Sequence, residues 1–201
     1  MFKVGITGGI GSGKSMVCRV FALLHIPVYD SDGRAKWAMQ HDVVLKDQLQ
    51  QAFGKAVYNF SGQLDRPFLS ALVFHQPEKL ALLNSLVHPR VKVDFDEWAA
   101  AQVNAPYLLK EAALMFESKA HQQVNRVITV SAPLEIRLAR VLQRDPQRQA
   151  ADVHAIINKQ LSEEERQRRA DYIIYNNDQQ LVIPQVLALH EQLLTLSKDF
   201  S

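Results

Sequence analysis

Hydrophobic residues along this chain follow two different spacings. Short apolar runs, which favour buried β-strands, occupy residues 2–7, 26–30, 107–111, 124–130 and 171–175. Elsewhere, apolar residues recur at intervals of three and four, as they do from Met16 to Leu24, and this spacing predicts amphipathic helices. Strands that alternate with helices predict an α/β fold with a parallel sheet.

One long stretch, residues 40–104, carries helical spacing and no convincing strand. Asp65 precedes one predicted helix as its cap, and Pro77 starts another. The second helix is expected to end at His88, because Pro89 disfavours a helical predecessor and can begin a third helix. The stretch far exceeds an ordinary crossover, so we interpret it as an inserted helical subdomain that binds a second substrate. Helices that only cover one face of the sheet remain the alternative.

Composition narrows the class of protein. The chain has 201 residues, of which 47% are hydrophobic, and a formal net charge of +2, so we expect a sizeable core and no nucleic-acid binding. No apolar run approaches the ~18 residues of a membrane span, and no secretory signal is apparent. The single cysteine, Cys18, cannot form an internal disulfide. We therefore expect a cytoplasmic protein that binds no membrane, with Cys18 as a small core residue.

The strongest motif lies between the first predicted strand and the first predicted helix. Residues 8–15 read GGIGSGKS and match the phosphate-binding pattern GxxxxGK[ST] in full. In this pattern the glycines allow a tight loop whose backbone N–H groups point at phosphate oxygens. Lys14 is expected to reach the β- and γ-phosphates of a nucleotide, and Ser15 to coordinate Mg²⁺. The following helix directs its positive end at the same anion.

Acidic residues follow two of the predicted strands. Asp30 and Asp32 come at the end of the second apolar run, and Glu111 ends the third. Ligands of open α/β sheets bind outside the carboxyl ends of the strands. We therefore expect one aspartate to face the reacting end of the nucleotide and the other to cap the next helix. Glu111 either supports the metal ion or is an ordinary surface residue, since Lys110 interrupts the buried pattern.

Three arginines share one face of the helix that follows the fourth strand. Arg137, Arg140 and Arg144 are spaced three and four residues apart, and guanidinium groups suit phosphoryl oxygens. The helix is interrupted at residues 145–148, and a new helix is predicted from about Asp152. A helix, a break and a second helix are typical of a closing lid, although a solvated helical pair remains an alternative.

Several segments together resemble the dephospho-CoA kinase family over essentially the whole chain. They are residues 7–15, 30–32, 88–89, 114–117 and 140–145. The resemblance implies a P-loop three-layer αβα sandwich with a parallel five-stranded sheet, a helical insertion and a helical lid. It also implies an ATP- and Mg²⁺-dependent kinase that phosphorylates the ribose 3′-hydroxyl of dephospho-CoA, in the last step of coenzyme A synthesis. No obligatory protein partner is evident.

The motifs and the resemblance together assign roles to residues. Lys14, Asp32 and Arg140 are the catalytic candidates, with Asp32 accepting the proton of the acceptor hydroxyl. The candidates for ATP binding are Gly9, Gly11, Ser12, Gly13, Lys14, Ser15, Met16, Arg144 and Asn176. Asp32 and His88 are expected to contact dephospho-CoA, and Ser15 is the expected metal ligand.

The motifs and the resemblance also predict how the chain divides into domains. Residues 1–30, 105–136 and 170–201 are expected to form the nucleotide-binding core, residues 31–104 the helical CoA-binding domain, and residues 137–169 the lid. Met16 departs from the family, which usually has Thr there, so a hydroxyl contact to the α-phosphate is lost. The backbone N–H contact remains possible.

Three other functions are considered. A switch GTPase needs an Asn-Lys-x-Asp segment, but residues 158–161 have Leu161 where the acid is required. A P-loop kinase of another small hydroxyl acceptor would share every motif except those of the helical insertion. A non-catalytic ATP-binding regulator would leave the acids and arginines near the phosphate loop without a role.

Overall fold

A computed structural model describes residues 1–74 and 76–200 of the chain. In these residues, five strands form one parallel sheet: β1 (Phe2–Gly8), β2 (Val28–Asp30), β3 (Tyr107–Glu111), β4 (Arg126–Ser131) and β5 (Tyr172–Tyr175). The strand order is β2-β3-β1-β4-β5. This arrangement confirms the predicted α/β fold with a parallel five-stranded sheet.

Nine α-helices occur among the described residues. They are α1 (Lys14–Leu23), α2 (Ser31–His41), α3 (Val43–Phe53), α4 (Arg66–Phe74), α5 (Pro77–Ala100), α6 (Leu134–Arg144), α7 (Ala150–Ile157), α8 (Glu163–Arg169) and α9 (Val182–Ser197). Short 3₁₀ helices span Lys55–Val57, Ala120–Gln123 and Lys198–Phe200. No helix in the described part of the chain is long and apolar enough to cross a membrane.

The chain folds into two compact units. One, the sheet unit, comprises Met1–Asp30 and the chain from Gln102 onward, and the other, the helical unit, is Ser31–Ala101. All five strands and helices α1 and α6 to α9 belong to the sheet unit, whereas α2 to α5 form the helical unit. The role of the helical unit, and a separate lid at residues 137–169, stay predictions.

The core of the sheet unit is built on the parallel strands. Their central residues are fully buried, as expected for a sheet covered by helices, and α1 and α9 pack on them. The main members are Val4, Ile6, Leu109, Ile128, Val17, Phe21, Val186 and Leu193. Cys18 is buried with them, as predicted, and burial raises the pKa of its thiol. This core holds the carboxyl ends of the strands in a fixed arrangement.

Helix α5 corrects one expectation in the helical unit. The predicted stop at His88 is wrong, because α5 continues from Pro77 through Pro89 to Ala100. A proline inside a helix removes one hydrogen bond and costs about 3 kcal/mol. The buried side chains of α5 nevertheless continue across it at intervals of four: Val87, Val91, Phe95 and Ala99. Packing of this stripe outweighs the local preference of the proline.

Polar side chains fix the helix starts and link the helices of the helical unit. Asp65 caps α4 as predicted, with its Oδ1 accepting from the Phe68 N–H at 2.9 Å. Asp42 caps α3 by accepting from the Leu45 N–H at 2.9 Å, and its other oxygen accepts from Arg90 Nε at 2.7 Å. The second contact joins α3 to α5.

Candidate active site

The phosphate loop joins β1 to α1 and depends on glycine. Gly11 and Gly13 have φ angles of 79° and 88°, which side chains rarely adopt. The loop closes with the Ser12 N–H donating to the Gly9 carbonyl at 3.0 Å, and α1 starts directly afterwards at Lys14. The N-terminus of α1 therefore adjoins the loop, which is the geometry that binds phosphate in P-loop proteins.

Lys14 and Ser15 converge on the acid that ends the neighbouring strand. Lys14 Nζ forms an ion pair with Glu111 Oε1, and Ser15 Oγ donates to the same oxygen at 3.2 Å. The side chains of Lys14 and Glu111 are each 12% exposed. In register, Glu111 lies beside Ile6 on one neighbouring strand and Asp30 on the other. Glu111 is therefore part of the phosphate-loop site.

The alternative that Glu111 is an ordinary surface residue is wrong. That alternative followed from Lys110, the charged residue that precedes it in β3. Lys110 is 2% exposed, although a lysine in a strand ordinarily indicates an interruption of the buried pattern. Its Nζ donates to Gln123 Oε1 at 2.5 Å and lies 5.7 Å from the centre of the Tyr29 ring. A buried ammonium with such partners is tolerated inside a sheet. The strand pattern alone does not reveal these partners.

A cavity of about 300 Å³ opens at the phosphate loop. It is lined by residues 8–16, Ala113, Arg144, Ile156 and Gln160. The loop candidates named from the sequence, Gly9, Gly11, Ser12, Gly13, Lys14, Ser15 and Met16, are thus brought together with Arg144. Backbone N–H groups, an ammonium and a guanidinium around one cavity suit a phosphate chain.

Gln160 is a site residue that sequence reasoning missed. Its Oε1 accepts from the Ile10 N–H at 2.9 Å, and its Nε2 donates to the Ala113 carbonyl at 3.4 Å. The side chain therefore joins the phosphate loop to the segment after β3. No motif signals this, because Gln160 follows the end of α7 and reaches the loop only in the folded chain.

Arg140 and Asn176 meet next to the phosphate loop. Arg140 donates to the Asn176 carbonyl at 3.0 Å and to Asp178 Oδ1 at 2.6 Å. Asn176 Nδ2 in turn donates to the Ser12 carbonyl at 2.8 Å. Asn176 is therefore tied to the loop, and Arg140 to the segment after β5. The catalytic role of Arg140 stays a prediction.

Two further arginines lie against the loop, buried and close together. Arg137 and Arg166 are 5% and 2% exposed. Glu163 Oε2 lies 2.5 Å from Arg166 Nη2 and 4.0 Å from Arg137 Nη2. The sequence pattern places Arg137 on the arginine face of α6, and the position of Arg166 follows from the packing of α8 rather than from any motif.

The two remaining site candidates, Asp32 and His88, belong to the helical unit. Asp32 is exposed in the first turn of α2. His88 is exposed within α5, and desolvation still lowers the pKa of its imidazole. Their predicted contacts with dephospho-CoA stay predictions.

Oxygen atoms at the loop fit a small divalent cation. The described residues contain no cluster of three or more His, Cys, Asp or Glu side chains that would hold a metal by itself. Mg²⁺ needs only one or two protein oxygens when phosphates and water supply the others. Ser15 Oγ and the Glu111 carboxylate, 3.2 Å apart, provide such a pair.

The parallel sheet of order 2-3-1-4-5, the glycine loop and the lysine at the start of α1 define a P-loop kinase. A family model described as dephospho-CoA kinase matches residues 2–181. The chain belongs to the dephospho-CoA kinase family, which confirms the resemblance.

Relatives and solved structures are similar to this chain over nearly its whole length. A dephospho-CoA kinase of Porphyromonas gingivalis is 37% identical over 199 residues, covering 97% of this chain and 96% of the relative. A crystal structure of a Thermus thermophilus protein is 31% identical, with a TM-score of 0.82 and 96% of both chains covered. A dephospho-CoA kinase structure from Campylobacter jejuni, 21% identical with a TM-score of 0.61 and coverage of 95% and 96%, shares the fold.

Proposed function

We propose that this chain transfers the γ-phosphoryl group of ATP to the ribose 3′-hydroxyl of dephospho-CoA and so makes coenzyme A. The observation that carries the proposal is the convergence of Lys14 and Ser15 on Glu111 beside the phosphate-loop cavity. Membership of the dephospho-CoA kinase family supports the choice of acceptor. A fold of this class serves many acceptors, so the loop by itself supports only the use of a nucleotide.

The chain holds ATP mainly through its phosphates. Loop N–H groups and the N-terminus of α1 bind the phosphate oxygens, and Lys14 moves from Glu111 towards the β- and γ-phosphates as they arrive. Met16 contributes its backbone N–H, since its side chain lacks a hydroxyl. Asn176 keeps the loop in place through the Ser12 carbonyl.

Charge that spreads over the transferring phosphoryl group needs cationic side chains. Arg144 lines the cavity and its side chain is 64% exposed, so it is accessible for this contact. We retain Arg140 as a second candidate, acting when residues 137–169 close as a lid and exclude water. Because the transition state is loose, positioning and charge neutralisation matter more than base strength.

Asp32 takes the proton of the acceptor hydroxyl. It follows Asp30, the last residue of β2, by two positions. As the ribose oxygen bonds to the γ-phosphorus, the bond to the β-phosphate oxygen breaks, ADP leaves, and the hydroxyl proton passes to the Asp32 carboxylate. In this proposal Asp32 also orients the ribose, and His88 in the helical unit contacts the CoA portion.

Mg²⁺ is the proposed metal, held by Ser15 and Glu111 together with phosphate oxygens. When bound, it neutralises charge on the β- and γ-phosphates. ATP and dephospho-CoA are the proposed partners, and the cytoplasm is the proposed location, since the one cysteine is buried and unpaired.

A coupled assay of ADP release tests the proposal. The protein is incubated with ATP and Mg²⁺ and with dephospho-CoA, adenosine, AMP or no acceptor, and the product mass is measured. We expect ADP release with dephospho-CoA alone and a product heavier by one phosphate. Activity with another acceptor only would discard the substrate assignment, and no transfer to any acceptor would favour a nucleotide-binding regulator.

A further inference from the structure

Two buried arginines and one glutamate form a cluster behind the phosphate loop. Arg137 and Arg166 share Glu163 as their close acidic partner, and both guanidinium groups are almost fully buried. Arg166 holds the nearer position and also donates to the Leu161 carbonyl. These three side chains carry one excess positive charge, and the second carboxylate that acts on both arginines, Glu164, is exposed to solvent, which weakens its attraction.

The guanidinium groups of these arginines lie against the phosphate loop. A Cβ atom at Gly9 would collide with Arg137 Nη1 and would lie 2.9 Å from Arg166 Nη2. The carbonyl of Arg137 packs against Gly11 in the same way. Glycine at these positions lets α6 and α8 approach the back of the loop, so the guanidinium group of Arg137 lies directly against the Gly9 backbone.

A contribution to the stability of the fold does not explain why the guanidinium group of Arg137 is buried. Arg137 Nε and Nη1 are buried and have no hydrogen-bond partner among the described residues. Burial and the charge of Arg166 lower the pKa of Arg137, while Glu163 and, more weakly, Glu164 raise it, and an arginine remains charged at neutral pH. Buried, incompletely paired charge destabilises a fold. An anion bound on the front of the loop would offset that cost by Coulomb attraction.

We infer that Arg137 is a positioning residue that supports the phosphate loop from behind and favours the phosphate chain of ATP through its buried charge, without touching the nucleotide. The inference rests on the proposed use of ATP. Its electrostatic part predicts that the effect grows with the number of phosphates on the ligand. The electrostatic part also predicts that Arg137→Lys, which keeps the cationic charge, retains most of the effect.

The test compares Arg137→Met, which keeps the length and removes the charge, with Arg137→Lys, which keeps the charge. Arg168→Met makes the same chemical change at a side chain that is 74% exposed in the same unit and serves as the matched control. Calorimetry measures the Kd values of ATP, ADP and adenosine, and thermal unfolding gives the melting temperature of each variant.

We expect Arg137→Met to raise the Kd of ATP about tenfold, to raise that of ADP less, and to leave adenosine binding unchanged. The melting temperature should not fall, because Glu163 then pairs with Arg166 alone. Arg137→Lys should recover most of the ATP affinity, and Arg168→Met should match the wild type.

The inference would be overturned if Arg137→Met lost affinity equally for all three ligands and had a lower melting temperature. It would also be overturned if the Kd of ATP did not change. If Arg137→Met does not fold, Arg137→Gln replaces it, and ATP affinities equal to those of Arg137→Lys would overturn the inference. Failure of the wild type to bind ATP would be a different result, since it would remove the proposed function itself and this inference with it.

Discussion

The sheet unit and the helical unit use charged side chains in different ways. In the helical unit each prominent arginine has its own acid: Arg90 pairs with Asp42 at 2.7 Å, and Arg34 pairs with Asp94. In the sheet unit Lys14 and Ser15 share one carboxylate of Glu111. Balanced ion pairs join helices in the helical unit, whereas in the sheet unit an ammonium and a hydroxyl meet one carboxylate beside the cavity where phosphate is proposed to bind.

Chain topology explains the difference. Parallel strands end at one edge of a sheet, so residues far apart in sequence, such as Lys14 and Glu111, meet where a ligand binds. Helices instead meet side by side, and their ion pairs lie along the contact, where solvent weakens them. The expected effects of mutations therefore differ in kind: activity changes in the first case and stability in the second.

The largest effect is expected at the centre of the sheet-unit site. Lys14→Ala should lower turnover about 10³-fold, because the cation that neutralises the transferring phosphoryl group is lost. Steady-state kinetics with ATP and dephospho-CoA measures the change. Lys198→Ala, at an exposed lysine of the same unit, is the control, and near-normal turnover of Lys14→Ala would remove Lys14 from the chemistry.

The second largest effect on turnover is expected at Asp32, the predicted catalytic residue in the helical unit. Asp32→Asn should lower turnover about 100-fold while ATP affinity stays nearly intact, because the carboxylate no longer accepts the hydroxyl proton. Turnover and ATP binding are measured separately. Asp96→Asn, in α5 of the same unit, should keep wild-type activity. Unchanged turnover in Asp32→Asn would exclude Asp32 as the base.

A smaller effect tests the shared carboxylate. Glu111→Gln should lower turnover about tenfold and raise the Mg²⁺ concentration needed for half-maximal activity, since one oxygen ligand is weakened. A titration of activity against Mg²⁺ measures both. Glu191→Gln, on α9, is the control. If the Mg²⁺ dependence does not shift, Glu111 acts only by holding Lys14.

The smallest effect is a loss of stability in the helical unit. Burial acts to raise the pKa of Asp42, but hydrogen bonds from Leu45 and Arg90 outweigh it and lower that pKa below its ordinary value. The carboxylate therefore stabilises the fold at neutral pH, and this contribution disappears as the pH falls through the folded-state pKa.

Asp42→Asn retains a capping side chain and should lower the free energy of unfolding by about 1 kcal/mol at pH 7. The difference from the wild type should vanish at acid pH. Urea unfolding between about pH 2 and pH 7 measures it, since the loss is complete only below the folded-state pKa, and Asp47→Asn in the same helix is the control. A difference that does not change with pH would contradict the assignment of this stability to the carboxylate charge.

The sequence by itself determined the features that depend on local chemistry. The phosphate loop requires glycines at positive φ and a lysine and a serine at the start of α1, so its pattern is readable in eight consecutive residues. Apolar runs located the strands because a parallel sheet is buried on both faces. The cap at Asp65 and the helix start at Pro77 were readable for similar local reasons.

Only the tertiary structure decided which distant residues complete the site. Glu111 remained ambiguous until the burial of Lys110 was known, and Gln160 reaches the loop through a turn that no motif marks. The buried arginines behind Gly9 depend on the packing of α6 and α8. Helix α5 passes Pro89 because a buried stripe continues beyond it. Local preferences are weak compared with packing, and packing is a property of the whole fold.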